Sequence, residues 1–178
     1  PQVVHRLDRD TSGCLVLGRH PRALARLSEL FAAGKVEKLY WAVVEGVPEA
    51  QSGIIDMPLG EDPRSPQARR MRPDPVGKPA RTRWHKLASE GGRSWLALEP
   101  ETGRTHQLRV HCMASGWPIV GDRRYGGGQG PLLLHARSLV VPFHPRKEAL
   151  RVEAPPPPAL ETALCGFSAN SQPPVTIL

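Results

Sequence analysis

The stretch Lys38-Leu39-Tyr40-Trp41-Ala42-Val43-Val44-Glu45-Gly46 is apolar or aromatic at every position from Leu39 to Val44. Aromatic and β-branched side chains favour an extended backbone, and apolar residues on both alternating faces are typical of a strand that is packed on both sides. We therefore predict an interior strand over 39–44, with Gly46 closing it. An interior strand needs a neighbour along each edge, so the rest of the chain must supply further strands.

Short apolar segments on either side of this strand supply the candidates. Strands are predicted over 14–17, 54–59, 80–88, 94–98, 132–134 and 138–143. Helices are predicted from His20-Pro21 to Gly34, from a Thr105 cap to about Ser115, and over 159–165. Strands in hairpin order with a few inserted helices predict an α+β domain, with a mostly antiparallel central sheet and flanking helices.

Two proline-rich segments interrupt the pattern. Residues 60–79 alternate prolines with arginines and a lysine, which predicts a loop. A basic loop of this kind could grip phosphates or could be a solvated insertion, and the sequence leaves both open. Prolines 155–158 predict a stiff spacer, so we expect a catalytic domain over 1–153 and a proline-rich tail over 154–178.

Composition narrows the class of protein. The chain has 178 residues, which fits one domain, and its net charge of +7 favours a polyanionic partner such as nucleic acid, although basic proteins without that role are common. An aromatic content of 5% argues against a surface that stacks many single-stranded bases. Three dispersed cysteines argue against a disulfide scaffold, and no run of apolar residues is long enough for a membrane span. We expect a cytoplasmic protein.

The first segment with reactive groups is His5-Arg6-Leu7-Asp8-Arg9-Asp10-Thr11-Ser12-Gly13. Arginines beside Asp8 favour its ionised form, and an oriented carboxylate can act as a nucleophile or a base. The same residues could instead form a salt-bridged surface turn whose hydroxyls satisfy backbone groups.

The second segment is Thr102-Gly103-Arg104-Thr105-His106-Gln107-Leu108-Arg109-Val110-His111. On a helix that starts near Thr105, His106 and Arg109 are three residues apart and share a face. Arg104 would lie at the positive end of that helix, against local preference, which suggests pairing with an acid or a phosphate. A helix with ordinary solvated basic groups is the alternative.

Other chemistries lack their motifs. The sequence lacks three motifs: the metal-binding H-E-x-x-H, the nucleophile elbow G-x-S-x-G and the phosphate-binding loop G-x-x-x-x-G-K-[ST]. We therefore expect no metal site.

Taken together, these segments resemble the RluA-type family of RNA pseudouridine synthases. His5-Arg6-Leu7-Asp8 with Thr11-Ser12-Gly13 is similar to the family's aspartate motif, residues 38–46 to its second motif and residues 103–111 to its third. Gly121-Asp122, Tyr125-Gly126 and Leu134-His135-Ala136 fit the segments that follow. The chain begins without methionine almost inside the first motif, and the family's upstream lysine-proline motif is absent, so we expect a domain truncated at its N-terminus.

The resemblance implies the pseudouridine synthase fold and the isomerisation of uridine to pseudouridine in ribosomal or transfer RNA, by a monomer without metal or cofactor. It implies that Asp8 acts on the sugar of a flipped-out uridine, that Arg109 pairs with Asp8, and that Tyr40 stacks on the uracil and assists the last proton removal. Arg6 would fill the gap left by the flipped base. Further substrate-binding residues are expected to be His5, Thr11, Arg104, His106 and Gln107. The alternative is a non-catalytic RNA-binding or ribosome-assembly module that retains the fold.

Overall fold

The computed structural model describes residues 1–65, 70–126 and 128–167. In these ranges the strands are β1 (Gln2–Val3), β2 (Ser12–Gly13), β3 (Leu17–Gly18), β4 (Glu37–Glu45), β5 (Ser52–Asp56), β6 (Leu59–Glu61), β7 (Met71–Pro73), β8 (Arg81–Glu90), β9 (Arg93–Pro100), β10 (Leu134–Val141) and β11 (Leu150–Glu153). The helices are α1 (Pro21–Ala32), α2 (Gln107–Ala114) and α3 (Pro158–Leu164).

The largest sheet has the strand order β11-β10-β4-β9-β8-β5, and every neighbouring pair along it is antiparallel. Strand β2 adds to β10 in parallel, and two small sheets pair β1 with β3 and β6 with β7. The predicted α+β class with a mostly antiparallel central sheet is confirmed.

Strand β4 is interior because both of its faces are covered. Ala42 and Val44 are fully buried in one cluster with Leu108 and Cys112 of α2. Val43, which points the other way, is buried in a second cluster with Leu160 of α3. Burial on both faces explains why the sequence shows a continuous apolar run here rather than alternation.

Helix α1 follows the predicted signals. The His20 ring accepts a hydrogen bond from the Ala23 amide at 3.2 Å, and Pro21 occupies the first turn. Leu27 and Leu30, three residues apart, share the face that packs in a cluster with Leu139 of β10. The helix thereby fixes one wall of the space above β4.

The start of α2 differs from the prediction of a Thr105 cap. The helix begins at Gln107, and the capping position is His106, which has a left-handed backbone with φ of 55°. The Gln107 side chain accepts hydrogen bonds from the Thr102 hydroxyl at 2.7 Å and the Arg104 amide at 3.0 Å. These bonds fix the turn before α2. The capping residue His106 makes no side-chain cap hydrogen bond, so the predicted Thr105 cap is wrong.

The predicted strand over 14–17 is wrong for residues 14–16, since the observed strands are β2 at Ser12–Gly13 and β3 at Leu17–Gly18, and the prediction overlaps β3 only at Leu17. Gly13 has φ of 112°, and a Cβ at this position would collide with the Ala136 carbonyl. This close approach requires glycine, and it turns the chain away from β10 immediately after β2.

Residues 60–79 are not wholly a loop, because β6 and β7 form a hairpin. Leu59 is buried with Ala80, Val110 and Tyr125, and this cluster anchors the hairpin. Residues 66–69 of the predicted basic loop lie outside the described residues. Prolines within the segment concealed strands that are stabilised by packing from the rest of the domain rather than by local propensity.

The expected tail contains a packed element. Within α3, Leu160 is 1% exposed, and Phe167 beyond it is buried in the same cluster. The domain boundary at 153 stays a prediction, but residues 158–167 contribute to the core. Among the described residues, no helix is both long and apolar enough to cross a membrane.

Candidate active site

A cavity of about 600 Å³ lies between the end of α1, the turn before α2, and strand β4. With the exception of Arg109, every predicted site residue lines it: His5, Arg6, Asp8, Thr11, Tyr40, Arg104, His106 and Gln107. Cavities of this size are typical of ligand sites, and this one is large enough for a nucleotide.

The loop that carries Asp8 is held on both sides. The Thr11 amide donates to the Asp8 carbonyl at 3.0 Å, which closes a turn beneath the carboxylate. The Thr11 hydroxyl is buried and has no hydrogen-bond partner within the described structure. A buried hydroxyl without a partner is unfavourable in a folded protein. Thr11 also lines the cavity, and its role as a substrate contact stays a prediction.

His135 ties the same loop to the sheet. Its Nε2 lies 3.1 Å from the Ala154 carbonyl, so this nitrogen carries the proton and Nδ1 accepts from the Ser12 hydroxyl at 2.9 Å. Burial lowers the pKa of His135, which keeps the ring neutral and preserves this arrangement. The aspartate loop is therefore positioned from β10 through a buried side chain.

Arg109 is shared between two carboxylates. Its Nε and Nη2 donate to the two oxygens of Asp122 at 2.7 and 2.8 Å, and its Nη1 lies 3.7 Å from Oδ2 of Asp8. Burial by itself would lower the pKa of Arg109, but the hydrogen bonds and charge of Asp122, with a smaller effect of Asp8, raise it. The expected pairing of Arg109 with Asp8 is thus present as a longer contact, and the closer partner is Asp122.

Asp122 is fully buried and is fixed by its own turn. Its Oδ1 also accepts from the amides of Arg124 at 3.0 Å and Tyr125 at 3.1 Å. Gly121, with φ of 77°, begins the turn, and a Cβ there would collide with the Pro131 carbonyl. Glycine at this position lets the chain pass close enough for Asp122 to reach Arg109.

Tyr125 completes the surroundings of Arg109. The guanidinium carbon lies 5.3 Å from the centre of the Tyr125 ring, within range of a cation–π contact. The hydroxyl accepts from the Met71 amide at 3.0 Å and is hydrogen-bonded to Nδ1 of His106 at 2.9 Å. The left-handed backbone of His106 is unfavourable for a residue other than glycine, and its persistence in a cavity wall is typical of a functional site.

Tyr40 projects from β4 into the cavity. Burial, followed by the nearby charge of Asp8, raises the pKa of Tyr40 to about 12. The phenol is therefore neutral at physiological pH, so it can stack and donate a hydrogen bond, whereas its phenolate is strongly disfavoured.

The remaining predicted residues divide into two groups. Arg6 and Arg104 are exposed at the cavity rim, and Arg104 donates to the Pro79 carbonyl at 2.9 Å. Gln107 is different, because its amide nitrogen also donates to the Arg81 carbonyl and the Thr82 hydroxyl. With its amide engaged at both ends, Gln107 shapes the wall and offers no free polar group to a substrate.

Sequence reasoning missed Asp122, Tyr125 and His135 as site residues. Their segments fitted the family pattern, but nothing local assigned them a contact. The signal that could have found Asp122 is an acid directly after a glycine, in a chain whose Arg109 needs a buried counter-charge.

Comparison with known proteins addresses the family directly. The sequence model of the RNA pseudouridylate synthase family matches residues 1–114. The chain belongs to the RNA pseudouridylate synthase family. The predicted membership of this enzyme family is confirmed.

Curated family members resemble the chain over most of its length. It is 50% identical over 164 residues to an uncharacterized RNA pseudouridine synthase of Zymomonas mobilis, covering 89% of this chain and 74% of that protein. It is 41% identical over 161 residues to the dual-specificity RNA pseudouridine synthase RluA of Vibrio vulnificus, covering 84% and 63%. Against a Chloroflexus aurantiacus relative it spans 51% of the length. The chain thus spans between about half and three quarters of these relatives.

Solved structures of the family share the fold. The human RNA pseudouridylate synthase domain containing 1 protein superposes with a TM-score of 0.81 at 30% identity, over 94% of this chain and 73% of that one. The human domain containing 4 protein gives 0.78 at 28% identity, over 92% and 74%. The predicted pseudouridine synthase fold is confirmed by these neighbours.

Proposed function

We propose that this protein isomerises uridine to pseudouridine in ribosomal or transfer RNA, with Asp8 as the catalytic carboxylate. The observation that carries the proposal is the placement of Asp8 in a cavity shared with Tyr40, with the Arg109 guanidinium 3.7 Å from Oδ2. Family membership supplies the reaction class.

The reaction conserves every atom of the substrate. The N1–C1′ bond of uridine breaks and its electron pair stays on the uracil, while positive charge develops at C1′, as in glycoside cleavage. Asp8 neutralises that positive charge either by bonding to C1′ or by removing a proton from the sugar. The uracil then turns and C5 bonds to C1′. In the first case this displaces Asp8 from C1′, and in the second case Asp8 returns the proton to the sugar. C5 finally loses its proton, and N1 gains one. No net oxidation occurs, so the balance requires no redox partner.

The surroundings of Asp8 suit this chemistry. Arg109, itself held by Asp122, places positive charge beside the Asp8 carboxylate, with Nη1 at 3.7 Å from Oδ2. The neutral ring of Tyr40 stacks on the uracil, and Thr11 donates to a polar atom of the bound nucleotide. A stacked base hides its glycosidic bond, so the uridine must flip out of the RNA, and Arg6 at the rim fills the gap.

The positive net charge of the chain favours binding to RNA. A chain with net charge +7 gains affinity for phosphates by releasing counterions. We further propose that the protein acts as a monomer in the cytoplasm, where Cys14, Cys112 and Cys165, unpaired in the described structure, would remain reduced.

The test is tritium release from ribosomal and transfer RNA transcripts that carry 5-tritiated uridine, followed by chromatographic identification of pseudouridine. Release with pseudouridine formation is expected, because C5 exchanges its hydrogen for the sugar. RNA binding without release from either class of transcript would contradict the proposal and would support a non-catalytic RNA-binding module.

A further inference from the structure

Lys38 is a cationic side chain that lines the cavity and that the proposed chemistry does not use. It lies two residues before Tyr40 on β4, so both side chains point to the same face, and both line the cavity. The Lys38 ammonium donates to the Thr102 carbonyl at 3.3 Å. In the described part of the chain no carboxylate lies within 4.0 Å of it.

This environment is costly for an ammonium. Lys38 is partly buried, and the loss of hydration lowers its pKa. An ammonium has three donors, and the carbonyl of Thr102 uses one of them. A desolvated cation without a counter-charge is unfavourable in a folded protein unless a ligand supplies the negative charge.

The residues around Lys38 define a separate part of the cavity. His5 is close enough for the charge of Lys38 to add to the effect of burial, and both lower the pKa of His5. The His5 ring stacks on Phe31 with centroids 4.5 Å apart and planes 14° apart, and its Nε2 accepts from the Val16 amide at 3.0 Å. His5 and Phe31 bring no negative charge near Lys38. Glu101, which also lines the cavity, is paired with Arg81 and Arg83.

We propose that Lys38 binds a phosphate group next to the target uridine, in the part of the cavity bounded by His5, Phe31 and the turn at Thr102. Asp8 and Tyr40 hold the nucleoside at the other side, so one cavity receives the base, the sugar and one phosphate. This assignment rests on the proposed function for the identity of the nucleoside. The competing role for Lys38 is structural, in which its bond to Thr102 merely holds the turn.

Uridine and its monophosphates separate these two roles. Binding of uridine, uridine 5′-monophosphate and uridine 3′-monophosphate is measured by NMR titration at constant ionic strength. We expect the wild-type protein to bind one monophosphate about tenfold more tightly than uridine, as for a hydrogen bond to a charged group. Which isomer gains affinity identifies the phosphate on the 5′ or the 3′ side.

The variants isolate the ammonium. Lys38→Met should reduce the ratio of nucleotide to nucleoside affinity to about one, and Lys38→Arg should preserve it because the charge and donors remain. Lys35→Met is the matched control, because Lys35 is exposed and does not line the cavity, yet its loss changes the net charge equally. A purely structural role would weaken uridine and nucleotide binding together and leave the ratio unchanged.

Two results would overturn the inference. One is an unchanged ratio of nucleotide to nucleoside affinity in Lys38→Met. The other is a wild-type protein that binds all three compounds equally or binds none of them. Nucleotide binding needs no turnover, so tritium release by the same wild-type preparation decides the proposed function separately. Active wild-type protein with an unchanged ratio would refute the role of Lys38 alone.

Discussion

Asp122 binds the guanidinium of Arg109 more closely than Asp8 does. The two carboxylate oxygens of Asp122 each accept one hydrogen bond, at 2.7 and 2.8 Å, which leaves Nη1 of Arg109 directed toward Asp8 at 3.7 Å. A bidentate pair fixes both the position and the plane of the guanidinium. Asp122 thus orients the cation that faces the proposed catalytic carboxylate, and it does so from a fully buried position.

Asp122 does not line the cavity, yet Asp122→Asn should slow the reaction through its effect on Arg109. Loss of the charged, two-point contact lets Arg109 shift, and a displacement of about 1 Å can cost roughly a hundredfold in rate. Unfolding free energy should also fall by about 3 kcal/mol, because a buried guanidinium loses its main partner. Single-turnover rates and urea unfolding measure the two effects.

The control for Asp122 is Asp56→Asn, which removes an exposed carboxylate 3.9 Å from Arg81. This variant should keep the wild-type rate and stability, since exposed pairs contribute little. A folded Asp122→Asn protein with the wild-type rate would show that Arg109 needs no such orientation.

Asp8→Asn should lose turnover by at least about a thousandfold while RNA affinity stays within about tenfold. The carboxylate acts on the sugar during the reaction and contributes little to binding in the ground state. Tritium release and filter binding are the measurements. Asp10→Asn, an exposed neighbour in the same loop, should retain full activity, and comparable activity in Asp8→Asn would remove Asp8 from the catalytic role.

Substitutions of Tyr40 should follow the order wild type, Tyr40→Phe, Tyr40→Leu in decreasing activity. A phenol whose pKa is raised to about 12 is protonated at neutral pH, so the ring is expected to contribute more than the hydroxyl. Loss of an aromatic stacking surface costs about 1–3 kcal/mol per base. Single-turnover rates across the series test this, and equal rates for the Phe and Leu variants would contradict stacking.

Stability should decline as pH falls below about 6.5. Burial lowers the pKa of both His111 and His135 from 6.5. Below that pH the unfolded chain therefore binds protons at these residues that the folded chain does not bind. The full contribution is present above the unfolded pKa and is lost as pH falls toward the folded values. Each such group can contribute up to about 1.4 kcal/mol per pH unit.

Urea unfolding at about pH 7.5 and about pH 5.5 measures this dependence. His111 donates from Nε2 to the Met57 carbonyl and accepts at Nδ1 from Thr82, so His111→Gln should lower stability at both values but reduce the difference between them. His144→Gln, at an exposed turn, is the matched control. A difference in His111→Gln as large as in the wild type would assign the pH dependence to other groups.

RNA affinity should fall steeply with salt concentration, and the basic segment 60–79 should account for part of that dependence. Replacing Arg69, Arg70 and Arg72 with glutamine should reduce the slope of log K against log salt by about 2 to 3 if all three contact phosphates. The control replaces Arg146, Lys147 and Arg151, exposed near the opposite edge of the large sheet. An unchanged slope after replacement of Arg69, Arg70 and Arg72 would assign these arginines to a solvated insertion.

The sequence by itself determined the elements whose signals are local. The apolar run at 39–44, the His20-Pro21 start of α1 and the strands over 80–88 and 94–98 all lie in the structure near their predicted positions. Each rests on side-chain periodicity and backbone preference over a few residues, so the local sequence was enough to predict it. The same holds for the motif containing Asp8, because the order of residues identified the family.

The tertiary structure decided the contacts that join distant segments. Arg109 meets Asp122 because Gly121 allows a close turn, and Ser12 meets His135 across 123 residues of chain. His106, which has a left-handed backbone, is hydrogen-bonded to the Tyr125 hydroxyl, a contact that no local pattern encodes. A buried charge or ring settles on the partner that packing brings within hydrogen-bonding distance, and that distance is fixed only when the whole sheet and its helices have assembled.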